Sequence, residues 1–147
     1  LAALIVHGSA ARGEYHAGSS DVDVIVVLKD VSPARLAPLA NALQVARSSA
    51  RIETMILAER EIARASDAFP LLYDDIRRHH VVLAGADPFG ALEVSFEHRR
   101  LRVEQELREA QIRLRRVVVD AAFHPPILVG ALERKVKQLR ASLYGLL

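Results

Sequence analysis

At 147 residues, 51% of them hydrophobic and 26% charged, the chain has the size and makeup of one soluble globular domain with a small appendage. No apolar run approaches the roughly 18 residues that a membrane span needs. The absence of cysteine excludes disulfides and thiolate metal sites, and it fits a reducing, cytoplasmic compartment. The net charge of +2 hides an asymmetry: residues 1–90 carry 9 Lys/Arg against 11 Asp/Glu, whereas residues 91–147 carry 11 against 7. The basic rear reads as a solvated helix face. No signal peptide is visible, and the opening at Leu1, inside an apolar run rather than at a Met, leads us to expect residues before it.

The run from Ala2 to His7 is short, apolar and β-branched, which predicts a buried strand ended by Gly8. Ser9 to Arg12 reads as a short helix with Ser9 as its N-cap, and Gly13 and Gly18-Ser19-Ser20 mark a loop. Val22 to Leu28 is a second strand. Pro33 to about Arg47 reads as one helix, with Leu36, Leu39 and Leu43 at helical spacing. A third strand is predicted over Arg51 to Leu57, helices over Glu59 to Ala65 and Pro70 to His80, and a fourth strand over Val81 to Leu83. From about Glu93 to Ala121 the residues Val103, Leu107, Ala110, Leu114, Val117 and Ala121 form one apolar stripe on a long helix. His124-Pro125-Pro126 breaks it, and Leu132, Val136, Leu139 and Leu143 form a second stripe, so an antiparallel helix pair is expected. Strands alternating with helices, then helices alone, predict an α/β catalytic domain over residues 1–90 and a helical region over residues 91–147.

Chemistry concentrates between His7 and Leu28. Asp21 and Asp23 stand two apart where a strand begins, so both carboxylates point to one face. Two like charges on an apolar strand repel, and a divalent cation removes the conflict. Mg²⁺ prefers hard oxygen ligands and usually takes one or two carboxylates plus substrate phosphates. Gly8-Ser9, where the first strand turns into a helix, offers unpaired N–H groups and room for a phosphate, with Arg12 one turn on. If the third strand lies beside the second, Glu53 joins the aspartates. It then serves a second Mg²⁺ or takes the proton from an acceptor hydroxyl. His79-His80, adjacent on a helix, cannot face one metal together, and no zinc site is credible without Cys or a spaced His pair.

With Gly8-Ser9, eleven intervening residues and then Asp21-Val22-Asp23, the sequence resembles the DNA polymerase beta nucleotidyltransferase superfamily. It is most similar to the small prokaryotic branch of minimal and kanamycin nucleotidyltransferase-like proteins. Ala11-Arg12-Gly13 and Ser20 also resemble that branch, and the Gly18-Ser19-Ser20 loop is slightly longer than its pattern. The resemblance implies an α/β (α+β) fold with a mixed sheet flanked by helices. It implies metal ligation by Asp21 and Asp23, a third acid at Glu53, and nucleotide contacts by Gly8, Ser9 and Ser20. The helical rear is similar to that of two-part members, whose helices shape the acceptor site or bind a helical toxin of the HEPN type.

The leading expectation is an enzyme that moves AMP from ATP, or another nucleoside monophosphate from its triphosphate, onto a hydroxyl. The acceptor is a protein side chain, a small molecule such as an aminoglycoside, or an RNA end, and the small size favours a protein, as in adenylylating antitoxins. The competing expectation is a non-catalytic antitoxin or partner-binding module, its helical stripes serving a homodimer or a heteromer. A nucleic-acid binder built on Arg99 to Arg116 is disfavoured, because Glu97, Glu104, Glu106 and Glu109 interleave with the arginines.

Overall fold

The computed structural model describes residues 1–121 and 124–140. The β-branched runs form a mixed four-stranded sheet of β1 (Ala3–His7), β2 (Val22–Leu28), β3 (Ile52–Ala58) and β4 (Val81–Gly85), in the order β3-β2-β1-β4. β1 is antiparallel to β2 and β4, and β2 is parallel to β3. Strand alternation sends Ile5, Ile25 and Val27 to one face and Val24, Val26 and Leu28 to the other, and all six are buried. A strand covered on both sides needs a continuous apolar run, which is what β2 has.

The first face is covered by α4 (Glu59–Ala65) and α5 (Pro70–Arg78), which contribute Ile62, Tyr73 and Ile76 to a core closed by Phe89. The second is covered from α2 (Pro33–Leu36) onward, with Leu36 and Leu39 packed against Val24, Val26 and Leu28. The single helix expected over residues 33–47 is broken: a 3-10 turn over Ala37–Leu39 separates α2 from α3 (Ala40–Ala50). Pro38 lacks the N–H that would continue the α-helical ladder there.

Two other local expectations need correction. The first short helix, α1 (Gly8–Ala11), begins at Gly8 with His7 at the N-cap position and no side-chain cap, so Ser9 lies inside the turn rather than capping it. The long helix α6 (Phe96–Asp120) starts three residues later than expected, where the Ser95 hydroxyl accepts the His98 N–H at 3.5 Å. Its stripe is buried at Val103, Ala110 and Ala121, while Leu107 stays exposed.

α7 (Pro125–Gln138) packs on α6 through a face other than the expected one. Leu132 and Val136 are exposed, and the partly buried positions are Leu128, Gly130, Ala131 and Lys135, with Leu139 of the expected stripe just past the helix. Apolar residues surround the first two turns of α7 on nearly every side, so periodicity alone selects no face. Leu143 lies outside the described residues. Most arginines of α6 are tied to its own acids one turn away, as in Arg102–Glu106 at 2.9 Å, Arg108–Glu104 at 2.7 Å and Arg116–Asp120 at 3.3 Å. No helix among the described residues is long and apolar enough to cross a membrane.

Asp74 fastens α6 to the sheet half. Its buried carboxylate meets Arg77 and Arg78 of α5 at 2.9 and 3.0 Å and Arg99 of α6 at 3.0 Å. Burial acts to raise its pKa, but the hydrogen bond from Arg77 and the three positive charges outweigh that and hold it below the usual carboxylate range. Asp74→Ala leaves three arginines facing one another and is expected to cost about 2 kcal/mol of stability, read from urea unfolding at neutral pH. Because the folded-state pKa is depressed, this contribution is present above the unfolded carboxyl pKa and is lost as pH falls through the folded value. The wild type and Asp74→Ala should therefore begin to converge in stability only as pH falls below about 4, the unfolded carboxyl pKa, and meet below the depressed folded value.

Candidate active site

The catalytic candidates gather at one end of the sheet, where β1 finishes and β2 and β3 begin. Asp23 is the register partner of His7 on β1 and of Glu53 on β3. Side chains in register on adjacent strands share a face, so Asp23 and Glu53 stand side by side on the face that carries Ile25 and Val27. They lie where the apolar core ends, with Asp23 partly buried and Glu53 exposed.

Gly8 makes this arrangement possible. Its φ is +68°, and a Cβ built there would lie 2.2 Å from Oδ2 of Asp23 and 3.0 Å from its carboxyl carbon. The space left by the missing side chain is thus taken by the Asp23 carboxylate itself, rather than standing open for a phosphate. His7, beside them, is buried. Its burial lowers its pKa, and the negative charges of Asp23 and Asp75 offset only part of that.

The other two acids are turned toward arginines. Asp21, one residue before β2, accepts a hydrogen bond from Nε of Arg51 at 2.8 Å, and Arg51 Nη1 also donates to the Gly18 carbonyl at 2.7 Å. Glu53 is paired with Arg47 of α3 at 3.2 Å. Among the described residues no three His, Cys, Asp or Glu side chains stand together closely enough to hold a metal ion. Sequence reasoning passed over both arginines, although each lies within six residues of the β3 acid.

Arg51 is the one described non-glycine residue with positive φ, at +52°. It closes the C-terminus of α3 in the left-handed conformation, and its carbonyl accepts the Val22 N–H at 3.0 Å. Its backbone therefore joins α3 to the start of β2 while its side chain holds the loop before Asp21. Arg51→Gly removes a strain of about 1 kcal/mol and two exposed contacts of similar total worth, so thermal unfolding should shift little. A loss of several degrees would show that the side chain, not the backbone, holds this corner.

Arg12, expected to reach a phosphate, is engaged elsewhere. It donates to Glu14 at 3.2 Å and to Asp75 of α5 at 2.7 Å. Glu14 also receives Arg140 at 2.9 Å, so the loop after α1 is tied both to α5 and to the region just past α7. Ser20 accepts the His16 N–H at 3.1 Å and shapes the loop that precedes Asp21. Asp75 had no sequence signal of its own, since it is one of many acids on amphipathic helices.

Over residues 1–137 the sequence matches the family model described as a nucleotidyltransferase domain. The chain belongs to this family. No curated protein and no solved structure matches it. It is accordingly a nucleotidyltransferase enzyme with a nucleotide substrate, and domains of this family work on nucleoside triphosphates with a divalent metal. The match runs without interruption from the sheet through α6 and into α7.

The donor set suits such a metal. Asp23 and Glu53 supply hard carboxylate oxygens from neighbouring register positions, and Asp21 precedes Asp23 by one strand repeat. The competing pairs, Arg51–Asp21 and Arg47–Glu53, are both roughly half or more exposed on each side and so contribute only about 0–1 kcal/mol each.

Proposed function

We propose that the chain transfers a nucleoside monophosphate, AMP from ATP, to an acceptor hydroxyl, with Asp21, Asp23 and Glu53 holding Mg²⁺. The observation that supports this most strongly is the in-register Asp23–Glu53 pair set against the bare Cα of Gly8. Two acids at the end of an apolar core, one of them packed where no other residue's Cβ fits, present hard carboxylate oxygens from adjacent strands, the donor type that a divalent cation takes. Mg²⁺ bound there would neutralise phosphate charge and polarise the α-phosphoryl group under attack.

The chain's own part is positional. Asp23 is held by its packing over Gly8 and cannot wander. Gly8 and Ser9 present backbone N–H groups and a hydroxyl to the phosphates. Glu53, at the exposed edge, accepts the proton of the attacking hydroxyl. The acceptor oxygen bonds to the α-phosphorus as the bond to the bridging oxygen breaks, and pyrophosphate leaves. Ser20 and Arg51 keep the preceding loop and Asp21 in place, and Arg12 braces α1 against α5 instead of touching phosphate. We take residues 1–90 as the part that carries this chemistry and residues 91–147 as helical support.

A second reading draws on the exposed apolar side chains of α6 and α7, among them Ile112, Val118, Ile127 and Val136. In it these helices hold a protein partner, which either receives the nucleotide or is merely bound. Incubation with α-labelled ATP, Mg²⁺ and candidate acceptors separates the two. Label transfer lost in Asp21→Asn establishes catalysis. Absence of any transfer or pyrophosphate release by the wild type refutes it.

A further inference from the structure

A cavity lies one step along β3 from Glu53, and the chemistry above makes no use of it. Positions 53, 55 and 57 alternate onto the same face of the sheet, so Met55 follows Glu53 by about 6.6 Å along the strand. Met55 and Leu57 form one wall of a cavity of about 520 Å³, closed by Ala65 of α4 and by Phe69, Leu72 and Tyr73. That volume is in the range of sites for small organic ligands. Phe69, just before α5, keeps 57% of its surface exposed at the cavity wall, an apolar ring left in water beside a helix that buries Leu71, Tyr73 and Ile76.

The walls carry little charge. Of the two ionic residues there, Glu61 accepts the Ala58 N–H at 3.2 Å and so completes the start of α4, which leaves Arg64 at the edge. A polycationic, polyhydroxylated acceptor finds a single carboxylate, Glu61, in such a lining. An apolar body finds four non-aromatic apolar side chains and two rings. The position matters as much as the lining. Gly8 and Ser9 lie beside Asp23 on the β1 side, whereas Met55 and Leu57 of the cavity wall lie on the β3 side. Phosphates held at Gly8 and Ser9 would therefore leave the β3 side of the acids to the cavity's occupant.

We infer that this cavity is the acceptor site, and that the acceptor is a small molecule with an apolar, ring-sized body and a hydroxyl that reaches Glu53. The inference rests on the proposed role of Glu53 in the transfer reaction. The acceptor oxygen forms its bond to the α-phosphorus, its proton passes to the Glu53 carboxylate, and pyrophosphate departs with the bridging oxygen.

The test uses the full chain and 2-(2-naphthyl)ethanol as a fluorescent probe, first without nucleotide or metal. Saturable one-site binding is expected. It should weaken about tenfold or more in Ala65→Trp, which fills the cavity, and in Phe69→Ser, an exposed position that spares the core, and stay within about twofold in Asp23→Asn. Circular dichroism confirms that each variant is folded. With α-labelled ATP and Mg²⁺ added, label should move to the naphthyl alcohol in the wild type and not in the cavity variants. Binding that both cavity variants leave unchanged, or that ATP displaces, overturns the assignment. Transfer to kanamycin but not to the naphthyl alcohol also overturns it while leaving nucleotidyl transfer intact. No transfer to any acceptor and no pyrophosphate release defeats the catalytic reading itself, and the acceptor site falls with it.

Discussion

Replacing Asp23 by Asn is expected to lower kcat/KM for nucleotidyl transfer by about 10³-fold or more while leaving the protein folded. The change keeps the shape of the side chain that packs over Gly8, so the corner between β1, α1 and β2 retains its volume. It removes the charge that stands in register with Glu53. An amide is a weak ligand for Mg²⁺ and neutralises nothing, so the triphosphate loses its anchor at the partly buried member of the acid set. Asp21 and Glu53 are more exposed and lie outside the packed position over Gly8, so neither takes its place. Single-turnover label transfer, run beside a thermal melt, measures both quantities. Transfer within about tenfold of wild type would remove Asp23 from the centre of the mechanism.

Gly8→Ala is the second large effect, and here structure and activity fail together. The left-handed φ of +68° costs a non-glycine residue about 1 kcal/mol, whatever surrounds it. The added methyl would also meet Oδ2 of Asp23 at 2.2 Å, so the carboxylate must swing away or the strand must shift. Together these should lower stability by about 2–3 kcal/mol. Transfer should fall by about 10²-fold beyond any loss of folded protein, because the displaced group is the one that positions the reaction. A double-mutant cycle separates the two causes. In an Asp23→Ala background the 2.2 Å clash is gone and only a 3.3 Å contact to the Cβ of residue 23 remains, so Gly8→Ala should cost little beyond the strain of about 1 kcal/mol. Equal costs in both backgrounds, read from urea unfolding, would show that the backbone alone explains the glycine.

Some of this was open to reading without coordinates. The β-branched stretch from Val22 to Leu28 announces a buried strand wherever it occurs, and Asp21-Val22-Asp23 at its start, eleven residues after Gly8-Ser9, carries the family signature. The Pro38 break, the shifted start of α6 and the absent Ser9 cap were missed for local reasons, a ring without an N–H and caps set by a residue or two. The face of α7 was missed for a different reason. Where apolar residues ring a helix, only the partner surface chooses among them.

The amino-acid order by itself determined the elements and the chemistry at hand. It supplied a short buried strand, a glycine turn, a second strand opened by two acids, and a third strand with one. Those are properties of nearest neighbours along the chain. Only the tertiary structure decided the rest, because it depends on residues far apart in sequence. The parallel register of β2 on β3 set Glu53 against Asp23. The closeness of β1 to β2 put the Asp23 carboxylate where the Gly8 side chain would be. The packing of α5 diverted Arg12 to Asp75, and the turn before β3 brought Arg51 to Asp21. Each of these is a contact across space between residues distant along the chain, steric at Gly8 and electrostatic at Arg12 and Arg51, and a linear sequence does not encode such distances.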